Sequence, residues 1–317
     1  MVSGFVLLVG GADRFVLGAA ALARNLGVSP LVIGLTIVGF GTSAPEMLVS
    51  SMASFSGNPG LGIGNAIGSN ITNVALVLGV TSLLRPLRVH SKILRRELPV
   101  LLLTMVAAYV LMWHDNRLDL VDGLMLLGGM FLMVGWVVRE GLAESGSDDA
   151  LVDEFAEEVP LGMSSLVAIG WFALGLLALL GGSKLLVWGA VEVATYFGVP
   201  ELIIGLTIVA IGTSLPELAA SITAAMRGED DIAVGNIVGS NMFNLLGVLA
   251  LPGVIAPGPF EDAVVERDFP AMFLVTIGLL VMARGFGERG RLDRIEGGVL
   301  TLCFVGYLAM LFFGVGS

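Results

Sequence analysis

The chain is short of the side chains from which most soluble active sites are built. Its 317 residues include one cysteine, Cys303, and two histidines, His90 and His114. A single cysteine rules out an intrachain disulfide and a cysteine-based zinc site. Two histidines supply His-rich metal sites and Ser/His triads poorly. Charged residues make up only 14% of the chain, whereas a soluble domain carries about 25%. Basic residues are outnumbered by acidic ones, 16 to 27, for a net charge of −11. That balance argues against a nucleic-acid partner. Aromatics are 7% against 44 glycines, a mixture that favours close helix packing over aromatic clusters.

What is present is apolar. Hydrophobic residues make up 56% of the chain, with a mean hydropathy of +0.94. No single water-soluble core hides that much surface, so the chain reads as an integral membrane protein. A hydrocarbon core about 30 Å thick needs about 20 apolar residues per helix. The chain reads as ten spans, approximately 2–24, 31–56, 61–84, 97–113, 119–138, 162–195, 202–227, 232–256, 269–284 and 295–315. No basic residue precedes the first, and no small-residue cleavage site follows a short apolar stretch. It reads as a true span and not as a removed signal.

Basic residues set the orientation. Arg85, Arg88, Lys92, Arg95 and Arg96 follow span three, and Arg284, Arg289, Arg291 and Arg294 follow span nine. In a ten-span chain those connections share a side with Arg24, Arg139 and Arg227. The opposite side holds Arg117 and Arg267, and Arg14 and Lys184 lie within spans. Twelve against two puts both termini outside the cytoplasm. The connection 139–161 carries eight acidic residues from Glu140 to Glu158. It reads as a solvated cytoplasmic linker, because it lacks the spaced ligands and glycine of an EF-hand loop.

The sequence also repeats itself. Residues 34–79 read GLTIVGFGTSAPEMLVSSMASFSGNPGLGIGNAIGSNITNVALVLG, and residues 205–250 read GLTIVAIGTSLPELAASITAAMRGEDDIAVGNIVGSNMFNLLGVLA. The offset is 171 without gaps, and 21 of 46 positions are identical. Each half, 1–138 and 162–317, then holds five spans. Five is odd, so the second half enters from the opposite side. Charge obeys: the basic 85–96 connection corresponds to 256–267, with Glu261, Asp262 and Glu266 against one arginine. The expected fold is therefore all-α, ten transmembrane helices in two inverted five-helix repeats with cores at 31–84 and 202–256. Inverted repeats are characteristic of secondary transporters.

Both repeats carry GTSxPE in their second span. Pro45 and Pro216 free the carbonyls of Gly41 and Gly212, which in lipid must find a partner or line a wet cavity. Thr42, Glu46 and Ser50 lie four apart on one helical face, and so do Thr213, Glu217 and Ser221. Asn65, Ser69 and Asn73 match Asn236, Ser240 and Asn244 in the third spans. All these groups are oxygen-bearing, with no sulfur or imidazole, the ligand set of Na⁺ and Ca²⁺. A carboxylate at midplane costs about 2.5 kcal/mol or more and is usually functional. Asp13 and Lys184 stand at equivalent repeat positions within spans one and six, which suggests an interhelical ion pair.

GTSAPE…GNAIGSNITN and GTSLPE…GNIVGSNMFN resemble the two alpha-repeats of the sodium/calcium exchanger family, of the cation/calcium antiporter superfamily, in a prokaryotic form. The resemblance implies Na⁺/Ca²⁺ exchange by alternating access, with ions held at the membrane centre between the repeats. Glu46 and Glu217 would be the main carboxylate ligands. Thr42, Ser43, Thr213 and Ser214 would add hydroxyl or backbone oxygens, and Ser69, Ser240, Asn73 and Asn244 would complete the ring. Spans one and six would slide as a gating pair. No cofactor is implied beyond the transported ions. Small size and minimal loops suggest a cell-membrane protein, expected as a monomer because each chain holds both repeats. Family members often carry aspartate where this chain has Asn244. The site charge is then −2, matching one Ca²⁺ or two Na⁺. The histidine that follows the GN segment in the proton/calcium branch is absent, which favours sodium. A proton/calcium antiporter using the same glutamates is the alternative. A membrane enzyme would need catalytic aspartates, a Ser with a His, or a His-based metal motif within spans, and none is visible. A channel would not need the repeat.

Overall fold

The structure, a computed structural model, describes residues 2–89, 93–113, 116–144, 163–197, 210–285 and 290–314. Among the described residues its helices include twelve. They are α1 (Val2–Leu26), α2 (Leu31–Thr42), α3 (Ala44–Phe55), α4 (Pro59–Leu84), α5 (Arg95–Trp113), α6 (Leu120–Glu144), α7 (Ser165–Tyr196), α8 (Ala210–Thr213), α9 (Leu215–Met226), α10 (Asp230–Ile255), α11 (Phe269–Gly285) and α12 (Arg294–Gly314). Four two-residue strands join them: β1 (Leu87–Arg88), β2 (Arg117–Leu118), β3 (Gly258–Pro259) and β4 (Arg291–Leu292). Among the described residues, seven helices are long and apolar enough to cross a membrane, and α2 with α3 makes an eighth if taken as one broken span. The fold is thus that of an all-α membrane protein with multiple spans. The start of the expected span 202–227 and most of the linker 139–161 lie outside the described residues.

Among the seven long apolar helices of the described residues, α10 has the most buried apolar stretch, 89%, and α4 follows with 72%. In α6, α7 and α12 the share is 22%, and side chains such as Phe131, Leu177 and Leu302 face outward. Large apolar groups pointing away from the protein are what contact with lipid requires.

The expected span 31–56 is two helices. It breaks at Ser43 (φ −79°, ψ 2°), and the second half opens on Pro45 in its first turn. Residues 210–226 break identically at Ser214 (φ −89°, ψ 7°), ahead of Pro216. Proline has no N–H to give and its fixed φ suits a helix start, so each half-helix begins where its proline stands. Thr42 and Thr213 therefore belong to the preceding segments, and the expected Thr–Glu–Ser faces are interrupted. The repeat recurs in finer detail: π-helical turns at Ile93–Glu97 and Val264–Asp268 lie 171 residues apart.

The chain divides into two compact units, Met1–Thr42 with Leu132–Gly239, and Ser43–Phe131 with Ser240–Ser317. Each draws on both sequence repeats. In the first, α1 and α7 pack antiparallel through glycine. A Cβ on Gly11 would lie 2.8 Å from the Leu179 nitrogen, and one on Gly182 would lie 2.7 Å from that of Leu8. Only small residues allow backbones so close. This register answers the expectation for Asp13. Gly4 meets Leu186 and Gly11 meets Leu179, so Lys184 is level with the start of α1, roughly 10 Å along the axis from Asp13. Asp13 instead pairs with Arg227, the Arg14 guanidinium lies 4.5 Å over the Trp171 ring, and Lys184 is exposed. Helix α2 rests on the first half of α10, where a Cβ on Gly235 would lie 3.1 Å from the Leu31 carbonyl.

In the second unit α3 packs on α4, and a Cβ on Gly62 would lie 2.6 Å from Ser50 Oγ. Ser50 Oγ in turn donates to the Val248 carbonyl of α10 at 3.0 Å. Two antiparallel ladders tie the connections together. Strand β1 pairs with β4, Leu87 opposite Leu292, and β2 pairs with β3, Leu118 opposite Gly258.

Two outcomes are expected. Gly11→Val forces α1 from α7 and lowers stability in detergent by about 1–3 kcal/mol, read as the midpoint of thermal unfolding. Asp13→Asn also lowers the midpoint, and the double exchange Asp13→Arg with Arg227→Asp recovers part of the loss; no recovery means the pair contributes nothing.

Candidate functional site

The two breaks carry the chemistry. Glu46 stands in the first turn of α3 and Glu217 in the first turn of α9. Each carboxylate is thus near a helix N-terminus, whose partial positive charge favours an anion. Both residues are wholly buried. In the second unit, neither carboxylate oxygen of Glu46 has a hydrogen-bond partner among the described residues. An ionised carboxylate in that state is strongly destabilising unless a cation accompanies it.

The glutamate backbones are pinned in the same way in both repeats. Asn65 Nδ2 donates to the Glu46 carbonyl at 3.1 Å, and Asn236 Nδ2 to the Glu217 carbonyl at 3.5 Å. Asn65 and Asn236 are 171 residues apart, and both spend their amide nitrogens on holding a break in place. Asn236 also donates to Ser221 Oγ at 3.1 Å and accepts from Thr42 Oγ1 at 3.0 Å. Pro216 was expected to free the Gly212 carbonyl, and that carbonyl accepts from Ser183 Oγ of α7 at 2.7 Å. Ala12 stands at the equivalent position of α1, so no hydroxyl is available there.

The candidate ligands divide between the units. The second holds Ser43, Glu46, Ser69, Asn73, Ser240 and Asn244, and the first holds Thr42, Thr213, Ser214 and Glu217. Thr213 is half-buried and the others are buried. Ser43 Oγ and Ser214 Oγ, one at each break, have no hydrogen-bond partner among the described residues, and neither has Asn73 Oδ1 or either amide atom of Asn244. Buried polar atoms are nearly always satisfied in folded proteins, so the open oxygens of Ser43, Glu46, Asn73 and Asn244 within the second unit are exceptional. Carboxylate, hydroxyl and amide oxygens of this kind suit a hard cation. Among the described residues no three His, Cys, Asp or Glu side chains gather as a metal-binding group. Two residues escaped the sequence reading. Asn70 and Asn241, in the two GSN segments, are buried and hydrogen-bonded within the second unit. Their identity at the repeat offset was the available signal.

Comparison with known proteins agrees with this architecture. The family model described as sodium/calcium exchanger protein matches residues 1–139 and 167–313. The chain is 47% identical to the putative antiporter CaxA of Alkalimonas amylolytica, over 98% of this chain and 96% of that one. It is 31% identical to the sodium/calcium exchanger MaX1 of Methanosarcina acetivorans, over 98% and 97%. Among solved structures it is similar to the sodium-calcium exchanger NCX_Mj, with a TM-score of 0.83 and 31% identity, covering 98% of this chain and 97% of that one. The chain therefore belongs to the sodium/calcium exchanger family, as a cation/calcium antiporter and not an enzyme.

Proposed function

We propose that this protein exchanges Na⁺ for Ca²⁺ across the cell membrane by alternating access. The observation that carries the reading is the Glu46 carboxylate, wholly buried, without a hydrogen-bond partner among the described residues and set at the start of a broken helix. Glu217 repeats its burial and its place at a break. Both glutamates would ligate the transported ions near the midplane between the repeats. Thr42, Ser43, Ser69, Asn73, Thr213, Ser214, Ser240 and Asn244 would complete the oxygen set. The names of MaX1 and NCX_Mj support sodium as the counter-ion.

In this reading the chain has ten spans in two inverted repeats, 1–138 and 162–317. The acidic linker 139–161 would be cytoplasmic, both termini extracytoplasmic and the protein a monomer. The strand ladders support that path. Strands can pair only where connections share a side of the membrane. The β1–β4 ladder joins the connections after spans three and nine, and the β2–β3 ladder joins those after spans four and eight. A ten-span chain puts each pair on a common side.

The mechanism follows from charge. With the two glutamates ionised and empty, the site is a double anion that resists closure in hydrocarbon. One Ca²⁺ or two Na⁺ neutralise it. The protein would change its facing readily only when loaded, and exchange would be obligatory. The α1–α7 pair, packed backbone to backbone, is suited to slide as one body.

Proteoliposomes loaded with Na⁺ should take up radiolabelled Ca²⁺, and those loaded with K⁺ or choline at matched pH should not. Glu46→Gln and Glu217→Gln should each lower uptake by about 10-fold or more. Uptake indifferent to internal Na⁺ but driven by a pH gradient would transfer the same glutamates to proton exchange. Uptake that survives both substitutions would remove them from the site.

A further inference from the structure

Asparagine is an ambiguous ligand. Its oxygen can hold a cation, while its nitrogen repels one, and the two differ by a half-turn of the amide. We infer that Asn241 is a positioning residue that fixes the Asn73 amide with its oxygen open to the transported cation. This rests on the proposed role of Asn73 as a ligand.

Three residues of the second unit, Asn70, Asn73 and Asn241, form a relay. Asn241 Nδ2 donates to the Asn70 main-chain carbonyl at 3.4 Å. A backbone carbonyl can only accept, so the Asn241 nitrogen must face it and Asn241 Oδ1 must point the other way. That oxygen accepts from Asn73 Nδ2 at 3.1 Å. The Asn73 nitrogen is thereby held away, and Asn73 Oδ1 is left buried with no hydrogen-bond partner among the described residues. The three side chains are buried, so water does not compete for these bonds. The Asn73 orientation is therefore set, at one remove, by a main-chain atom.

The second repeat lacks the same device. The mirror of this relay, at the 171-residue offset, would have Asn70 Oδ1 accept from Asn244 Nδ2. Asn70 instead turns its Nδ2 to Met272 Sδ at 3.4 Å. Asn70 Oδ1 and both Asn244 amide atoms have no hydrogen-bond partner among the described residues. The cause lies in the sequence. Met272 corresponds to Leu101, whose side chain has no acceptor atom, so the sulfur contact exists for Asn70 only. Of the two asparagines, Asn73 is locked by its neighbours and Asn244 is not.

The test is a double-mutant comparison of Ca²⁺ uptake in proteoliposomes. Asn241→Leu removes the acceptor at nearly constant volume. The expected result is a rise in the apparent KM for Ca²⁺ of about 10-fold, with the maximal rate within about two-fold. Asn73→Asp has an oxygen at both positions and needs no orienting partner. In the N73D protein, the further change N241L should shift KM by less than about two-fold. An equal rise in both backgrounds, or a loss of maximal rate alone, would make Asn241 merely structural and overturn the inference. If N241L does not yield folded protein by size exclusion, N241S, which keeps only a shorter hydroxyl, gives the same comparison. Asn73→Leu separates the two levels. If it leaves KM unchanged, Asn73 is not a ligand and the reading beneath falls. If it raises KM while N241L does not, only the inference falls.

Discussion

Everything here depends on the cost of placing a carboxylate inside a membrane protein. Glu46 and Glu217 are wholly buried, and a charge in that position is tolerated only with compensation. The protein supplies part of it by breaking two helices. Each glutamate then stands in a first turn, close to the positive end of a short helix. For Glu46 in the second unit, the carboxylate oxygens and those of Ser43 and Asn73 stay without a hydrogen-bond partner among the described residues. In the proposed function, a site unstable when empty and stable when loaded would make exchange obligatory.

The surrounding structure holds those breaks without relaxing them. Proline prevents the helices from continuing, and asparagines from neighbouring helices bind the glutamate carbonyls at both breaks. Ser183 takes up the carbonyl released at Gly212. Glycine does the remaining work by removing side chains where backbones must touch, in α1 against α7 and in α2 against α10. Polar anchors and bare backbone contacts thus divide the labour. The former hold the helix breaks at Glu46 and Glu217, while the latter bring backbones into direct contact.

The repeat is close in design and unequal in detail. Its prolines, glutamates and GSN segments are identical at one offset, and the π turns before α11 and within the start of α5 follow it too. Yet Asp13 pairs with Arg227 where symmetry suggested Lys184, and Asn70 turns to Met272 where Asn241 turns to Asn70. Ser56 is the repeat counterpart of Arg227, and Leu101 that of Met272. Single substitutions between the halves are enough to give each a different set of bonds.

Much of this was legible in the amino-acid order. Hydropathy set the membrane class, because so apolar a chain has no aqueous alternative. The repeat announced itself through identities such as Pro45 with Pro216, which apolar composition cannot produce. The candidate ligands followed, since buried oxygens and carboxylates at matched positions have few other uses. Tertiary structure alone decided the rest. A proline pattern shows that a helix is disturbed but not that it ends at Ser43 and restarts, which separated Thr42 from Glu46. Sequence equivalence of Asp13 and Lys184 did not reveal the register of α1 on α7, which glycine contacts set so that the two residues lie about two turns apart. The same holds for the asparagines. Their identity is local information, but which amide atom faces which partner depends on residues 168 and 171 positions apart, brought together only by the packed chain.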